Sequence, residues 1–115
     1  MSYKKIADLI LKLNGKTVQD KVKWEQTTTE GIYQAVFSGY SIRISKYPEA
    51  IVLQIYNEDG ELIEEVNDTE VNKVSQYMAW PIMLNLYETA RRVAMGTEQA
   101  LDSIMTILNG DDIPF

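Results

Sequence analysis

The spacing of apolar residues changes twice along the chain, and that change limits the fold more than any motif does. From Lys21 to Val66 the apolar residues recur at every second position. Val22 and Trp24 alternate with Lys21, Lys23 and Glu25. Tyr40, Ile42 and Ile44 alternate with Ser41, Arg43 and Ser45, and Ile51, Leu53 and Ile55 with Val52, Gln54 and Tyr56. On either side the spacing is three or four: Ile6, Leu9, Ile10 and Leu13 before this region, and Val71, Val74, Met78, Ile82, Leu86, Ala90 and Val93 after it. A period of two gives a strand with one buried face, and a period near 3.6 gives a helix with one buried stripe. The chain therefore reads as a helix, four or five strands, then two helices.

The punctuation fits that order. Asn14-Gly15 predicts the end of a first helix over residues 3–13. Thr27 to Gly31, Ser38-Gly39, Pro48 and Asn57-Glu58-Asp59-Gly60 separate the strands, and Glu61 to Val66 makes a shorter last one. Connections this short favour an antiparallel meander, because parallel pairs need long crossovers. Pro81 lies inside the second apolar stripe and must kink or break it near Tyr77 to Trp80. Gly96 ends that helix. Thr97 then reads as the N-cap of a last helix, with Ala100, Leu101, Ile104, Met105 and Leu108 on one side and Gly110 at its end. The expected architecture is α+β: an antiparallel sheet with the helices packed on one face. With 115 residues the chain is one domain, 1–115.

Composition removes most chemistry. There is no Cys and no His, so thiol nucleophiles, imidazole relays, zinc sites and disulfide frameworks are excluded. The six glycines are isolated, and no dinucleotide, P-loop or nucleophile-elbow motif exists. Glu64, Glu65 and Asp68, with Glu70 beyond, form an acidic cluster that reads as a solvated strand end and helix start. Whether it holds a cation stays open. No cofactor or metal is expected, and no enzymatic activity. The net charge of −6 argues against nucleic acid. It is unevenly spread, +3 over residues 1–50 and −9 over residues 51–115. Lys4, Lys5, Asp8 and Lys12 interrupt the apolar residues near the N-terminus, and no run approaches the roughly 20 apolar residues of a membrane span. A cytoplasmic protein without membrane association is the expectation.

Candidate contact surfaces remain. Trp80, Met83 and Tyr87, with Tyr77, Met78, Ile82, Leu84 and Leu86, surround the helix near Pro81, which must be wholly buried or shared with a partner. Val52 and Tyr56 fall with Arg43 and Gln54 on the sheet face away from the helices. Arg91 and Arg92 point about 100° apart on a helix. One is expected to pair with Glu88 and the other to sit at the negative helix end, unless one grips an anion. These features predict a non-enzymatic protein-interaction module, a homodimer with a protein partner. It would be an immunity or antitoxin-like protein, or an inhibitor acting by occlusion, with contacts from Trp80, Met83, Tyr87, Arg43, Val52, Gln54, Tyr56 and Arg91. The alternative is an anionic small molecule held in a pocket between sheet and helices. There Trp24, Tyr33 or Tyr40 would stack on it, and Arg43 or Arg91 would bind its charge.

Leu86-Tyr87-Glu88-Thr89-Ala90-Arg91-Arg92-Val93-Ala94-Met95-Gly96, followed by Ala100-Leu101 and Ile104, resembles the ending of small uncharacterised bacterial α+β proteins. Those proteins close with a similar helix pair. Lys23-Trp24 and Asp59-Gly60 extend the resemblance over most of residues 21–108. It implies a bacterial or phage-borne cytoplasmic domain and brings no catalytic or binding residue with it.

Overall fold

The computed structural model describes residues 3–110. α1 spans Tyr3–Val18 and is followed by β1 (Trp24–Gln26), β2 (Ile32–Phe37), β3 (Tyr40–Tyr47), β4 (Ala50–Asn57) and β5 (Leu62–Asn67). Then come α2 (Asp68–Val74), α3 (Ala79–Ala94) and α4 (Thr97–Leu108).

The helix α1 runs five residues beyond the expected stop at Leu13. Asn14-Gly15 does not end it, because the buried stripe of Ile6, Ile10 and Leu13 continues to Thr17. The Thr17 hydroxyl accepts the indole N–H of Trp24 at 3.0 Å, inside the core. The stop lies instead at Asp20, with φ 60. Lys21 N–H bonds to the Lys16 carbonyl and Asp20 N–H to the Thr17 carbonyl, both at 3.0 Å. This is a Schellman closure with aspartate where glycine is usual.

The five strands pair in sequence order, each antiparallel to the next. Their register sets Trp24 beside Ala35, Tyr33 beside Ile44, Ala35 beside Ile42, Ile44 beside Leu53, and Leu53 beside Val66. Those side chains share one face and, with Ile51, are buried against Ile6, Ala7, Ile10 and Leu13 of α1, Val71 of α2, and Ala79, Met83, Leu86 and Ala90 of α3. The opposite face is open, with Val36, Tyr47 and Leu62 exposed. β1 and β5 form the edges. β5 carries a bulge: Ile55 pairs with Glu64 and Tyr56 with Leu62, leaving Ile63 as the extra residue.

The second apolar stripe breaks rather than kinks, giving three helices after the sheet. α2 starts from a capping box in which Asn67 accepts from Glu70 N–H at 2.9 Å and Glu70 from Asn67 N–H at 3.0 Å. Buried Asp68 accepts the Ile51 N–H at 2.9 Å, tying the helix start to β4. Ser75 is extended and ends α2, and Asn72 accepts the Ala79 N–H at 3.1 Å to open α3. Pro81 is the third residue of α3. Its missing donor costs nothing there, since first-turn N–H groups have no helical partner.

Gly96, with φ 65 and ψ 38, takes the cap position that Thr97 was expected to fill, and no side chain caps α4. The left-handed turn ends α3 and redirects the chain in one residue. As a result α4 lies off the sheet: it contacts only α3 and buries none of its side chains.

Thr17→Val keeps the shape of the side chain but leaves the Trp24 N–H buried without an acceptor, at a cost of about 1–3 kcal/mol. Chemical denaturation should show that loss, and Thr17→Ser should recover most of it.

Candidate functional site

Four of the expected contact residues fall together on the open sheet face. The Arg43 Nε–H donates to Gln34 Oε1 at 3.0 Å, and its guanidinium carbon lies 5.0 Å from the centre of the Tyr56 ring. The Tyr56 hydroxyl donates to Gln54 Oε1 at 3.0 Å, and the Gln54 amide donates to Glu65 Oε1 at 2.7 Å. This seam crosses β2 to β5. It fixes Arg43 by stacking and by one N–H, leaving its remaining donors available. Val52 lies beside it, half-buried.

The surface around Pro81 differs from expectation. Met83 is 0% exposed and cannot meet a partner. It belongs to the stripe Ala79, Met83, Leu86, Ala90 that faces the sheet. Trp80, Ile82, Leu84 and Tyr87 are half-buried against the same core. The apolar girth of this helix is used because α3 touches α1 and α2 on one side and β1 to β4 on another. Met78, at 72% exposure, is left outside.

The uncovered apolar surface is on α4 instead. Leu101, Ile104, Met105, Ile107 and Leu108 are each between 46% and 55% exposed. Sequence periodicity found this stripe, but a stripe facing the core and a stripe facing outward have the same spacing.

The acidic cluster disperses. Asp68 holds the Ile51 N–H, Glu70 closes the capping box, and Glu65 accepts from Gln54. Glu64 Oε1 accepts the Glu65 N–H at 3.0 Å, while its Oε2 is buried and has no partner among the described residues. The Glu70 carboxylate raises the Tyr3 phenol above its usual range. Among the described residues no three acidic side chains converge to hold a metal ion.

A cleft of about 490 Å³ opens between the β1–β2 loop and the last turns of α3. It matches the expected pocket between sheet and helices in part: of the residues expected there, Tyr33 and Arg91 line it, while Trp24, Tyr40 and Arg43 do not. Trp24 is 2% exposed and belongs to the core, and Tyr33 is 6% exposed. The walls of the cleft include Thr28, Thr29, Glu30, Tyr87 and Arg91. The loop is held from within and from behind. The Thr27 hydroxyl meets the Thr29 and Ile32 carbonyls at 2.9 Å, and the Tyr87 hydroxyl donates to the Gly31 carbonyl at 2.9 Å. Gly31 has φ +83, a conformation strained for other residues. The Tyr33 and Tyr87 rings lie 5.5 Å apart. Of the arginine pair, Arg92 bonds to Glu98 at 2.8 Å rather than to Glu88, because the Gly96 turn brings the start of α4 back toward it. Arg91 has no ion pair among the described residues.

Comparison with protein-family models, with curated proteins and with solved structures finds no match for this chain. Among the described residues no helix is long and apolar enough to cross a membrane.

Burial raises the phenols of Tyr87 and Tyr77 above their ordinary value. Both donate to backbone carbonyls, Tyr77 to Ala7 at 2.6 Å, and a phenolate cannot donate. The unfolded chain ionises near pH 10, below the folded values, so this stabilisation is complete below about pH 10 and is lost as pH rises through the folded values. Denaturation between pH 9 and about 11.5 should show that decline, and a Tyr77→Phe, Tyr87→Phe double variant should flatten it.

Proposed function

We propose that this chain is a non-enzymatic protein-interaction module that pairs with a second copy through α4. One observation carries the reading: a twelve-residue helix that buries no side chain while presenting five large apolar ones. Burying each such side chain is worth about 1.5–3 kcal/mol, and a helix this short is marginal in water without a surface to pack on. Leu101, Ile104 and Leu108 repeat at spacings of three and four, the seam of a helix pair, and such a seam is self-complementary. Little charge opposes that pairing, since Glu98 is already met by Arg92 and Asp102 is the one other acid on the helix.

In this reading the open sheet face remains free to occlude a partner protein, with Arg43 and Tyr56 as its anchors and Val52 and Gln54 around them. Arginine and tyrosine are the side chains that most often dominate such contacts. An immunity, antitoxin-like or inhibitor protein works in this manner, and the resemblance of residues 86–104 to small bacterial proteins supports a bacterial or phage-borne cytoplasmic setting.

Sedimentation equilibrium tests the pairing. The wild-type chain should be dimeric on the order of 10 µM, and a Leu101→Glu, Ile104→Glu variant monomeric with an unchanged circular-dichroism spectrum, because neither residue is buried in the protomer. A wild-type chain that stays monomeric at about 100 µM would refute the reading.

A further inference from the structure

We propose that the cleft beside the β1–β2 loop is a binding site for a small zwitterion of the free amino-acid class. This rests on the cleft alone and is independent of the pairing through α4.

The lining contains one cation, Arg91, and one anion, Glu30, and the two do not pair with each other. A guanidinium without a carboxylate partner, next to an arginine that has one, is a site for an anionic group from outside the chain. A bare anion is a poor occupant. It would meet Glu30 in the same cleft and the negative end of α3, which follows Arg91 by a single turn. A bare amine would meet Arg91. A molecule carrying one carboxylate and one ammonium satisfies both walls: the carboxylate on Arg91, the ammonium on Glu30. Size agrees, since about 490 Å³ lies within the range of small-molecule sites and exceeds what an amino acid fills.

The rest of the lining suits such a ligand. Thr28 and Thr29 bring side-chain hydroxyls that have no partner among the described residues. Ile32, Tyr87 and Met95 supply apolar surface for a ligand side chain. The loop that bears Glu30 is already shaped by the Thr27 hydroxyl and the Tyr87–Gly31 bond, so binding need not order it.

Isothermal titration and amide chemical-shift mapping with the twenty common amino acids test the site. At least one should bind with a Kd below about 1 mM and shift the resonances of residues 27–31. Its carboxylate-only and amine-only analogues should bind at least about tenfold more weakly, as should Arg91→Gln and Glu30→Gln. Both side chains are exposed, so both variants should fold. Lys12→Gln, exposed on α1 and outside the cleft, should bind as the wild type does. The proposal is overturned if none of the twenty binds. It is equally overturned if either charge can be removed from protein or ligand without effect, or if inorganic phosphate binds through Arg91 with no dependence on Glu30.

Discussion

The domain is organised by one contact, the burial of the Ala79, Met83, Leu86, Ala90 stripe of α3 against the inner face of the sheet. Full burial of Met83 and Leu86 is worth about 1.5–3 kcal/mol each, and the alanines at either end let the helix backbone approach closely. α3 touches every other element except β5. Its direction is available only because the chain breaks after Ser75. With the break, Val71 of α2 and Met83 of α3 both lie in the core. Pro81, the third residue of α3, follows that break.

The strands were legible because their signal is strict. Alternation through residues 40–45 and 51–56, with turn residues between, left one arrangement that buries one face. That the second stripe is interrupted before Pro81 was legible for an equally local reason, but whether it kinks or breaks was not. The errors came where local signals met a distant partner. Asn14-Gly15 carries the chemistry of a stop, but Thr17 is needed as the acceptor for Trp24, and the helix continues to supply it. Glu88 lies at good helical spacing for an arginine, yet the turn at Gly96 offers Glu98 to Arg92. Of the surface residues, Arg43, Val52, Gln54 and Tyr56 were placed correctly by parity along the strands. Met83 was misplaced because periodicity does not say how much of a helix's girth its neighbours will cover. The same blindness hid the exposure of α4.

The positions that look most polar in sequence are mostly occupied in the structure. Asp68, Glu70 and Glu65 each hold a specific N–H, and Arg92 holds a carboxylate. Among the groups left without partners are the apolar side of α4, the free donors of Arg43, Glu64 Oε2, and the charges of Arg91 and Glu30 in the lining of the cleft. Two of these are neighbours. Met95, in the wall of the cleft, and Thr97, the first residue of α4, flank Gly96.

The bulged last strand has a consequence for the protein in bulk. A sheet with an open face and a free edge invites other chains to add strands, the route by which soluble proteins convert to fibres. Here one edge is only three residues long, and the other is bent at Ile63 and carries Glu64 and Glu65. Like charges would confront each other if two such edges met, and the bend spoils the straight ladder that stacking needs. Both edges of the sheet are thus shaped against the addition of a further strand, whatever the apolar surface elsewhere does.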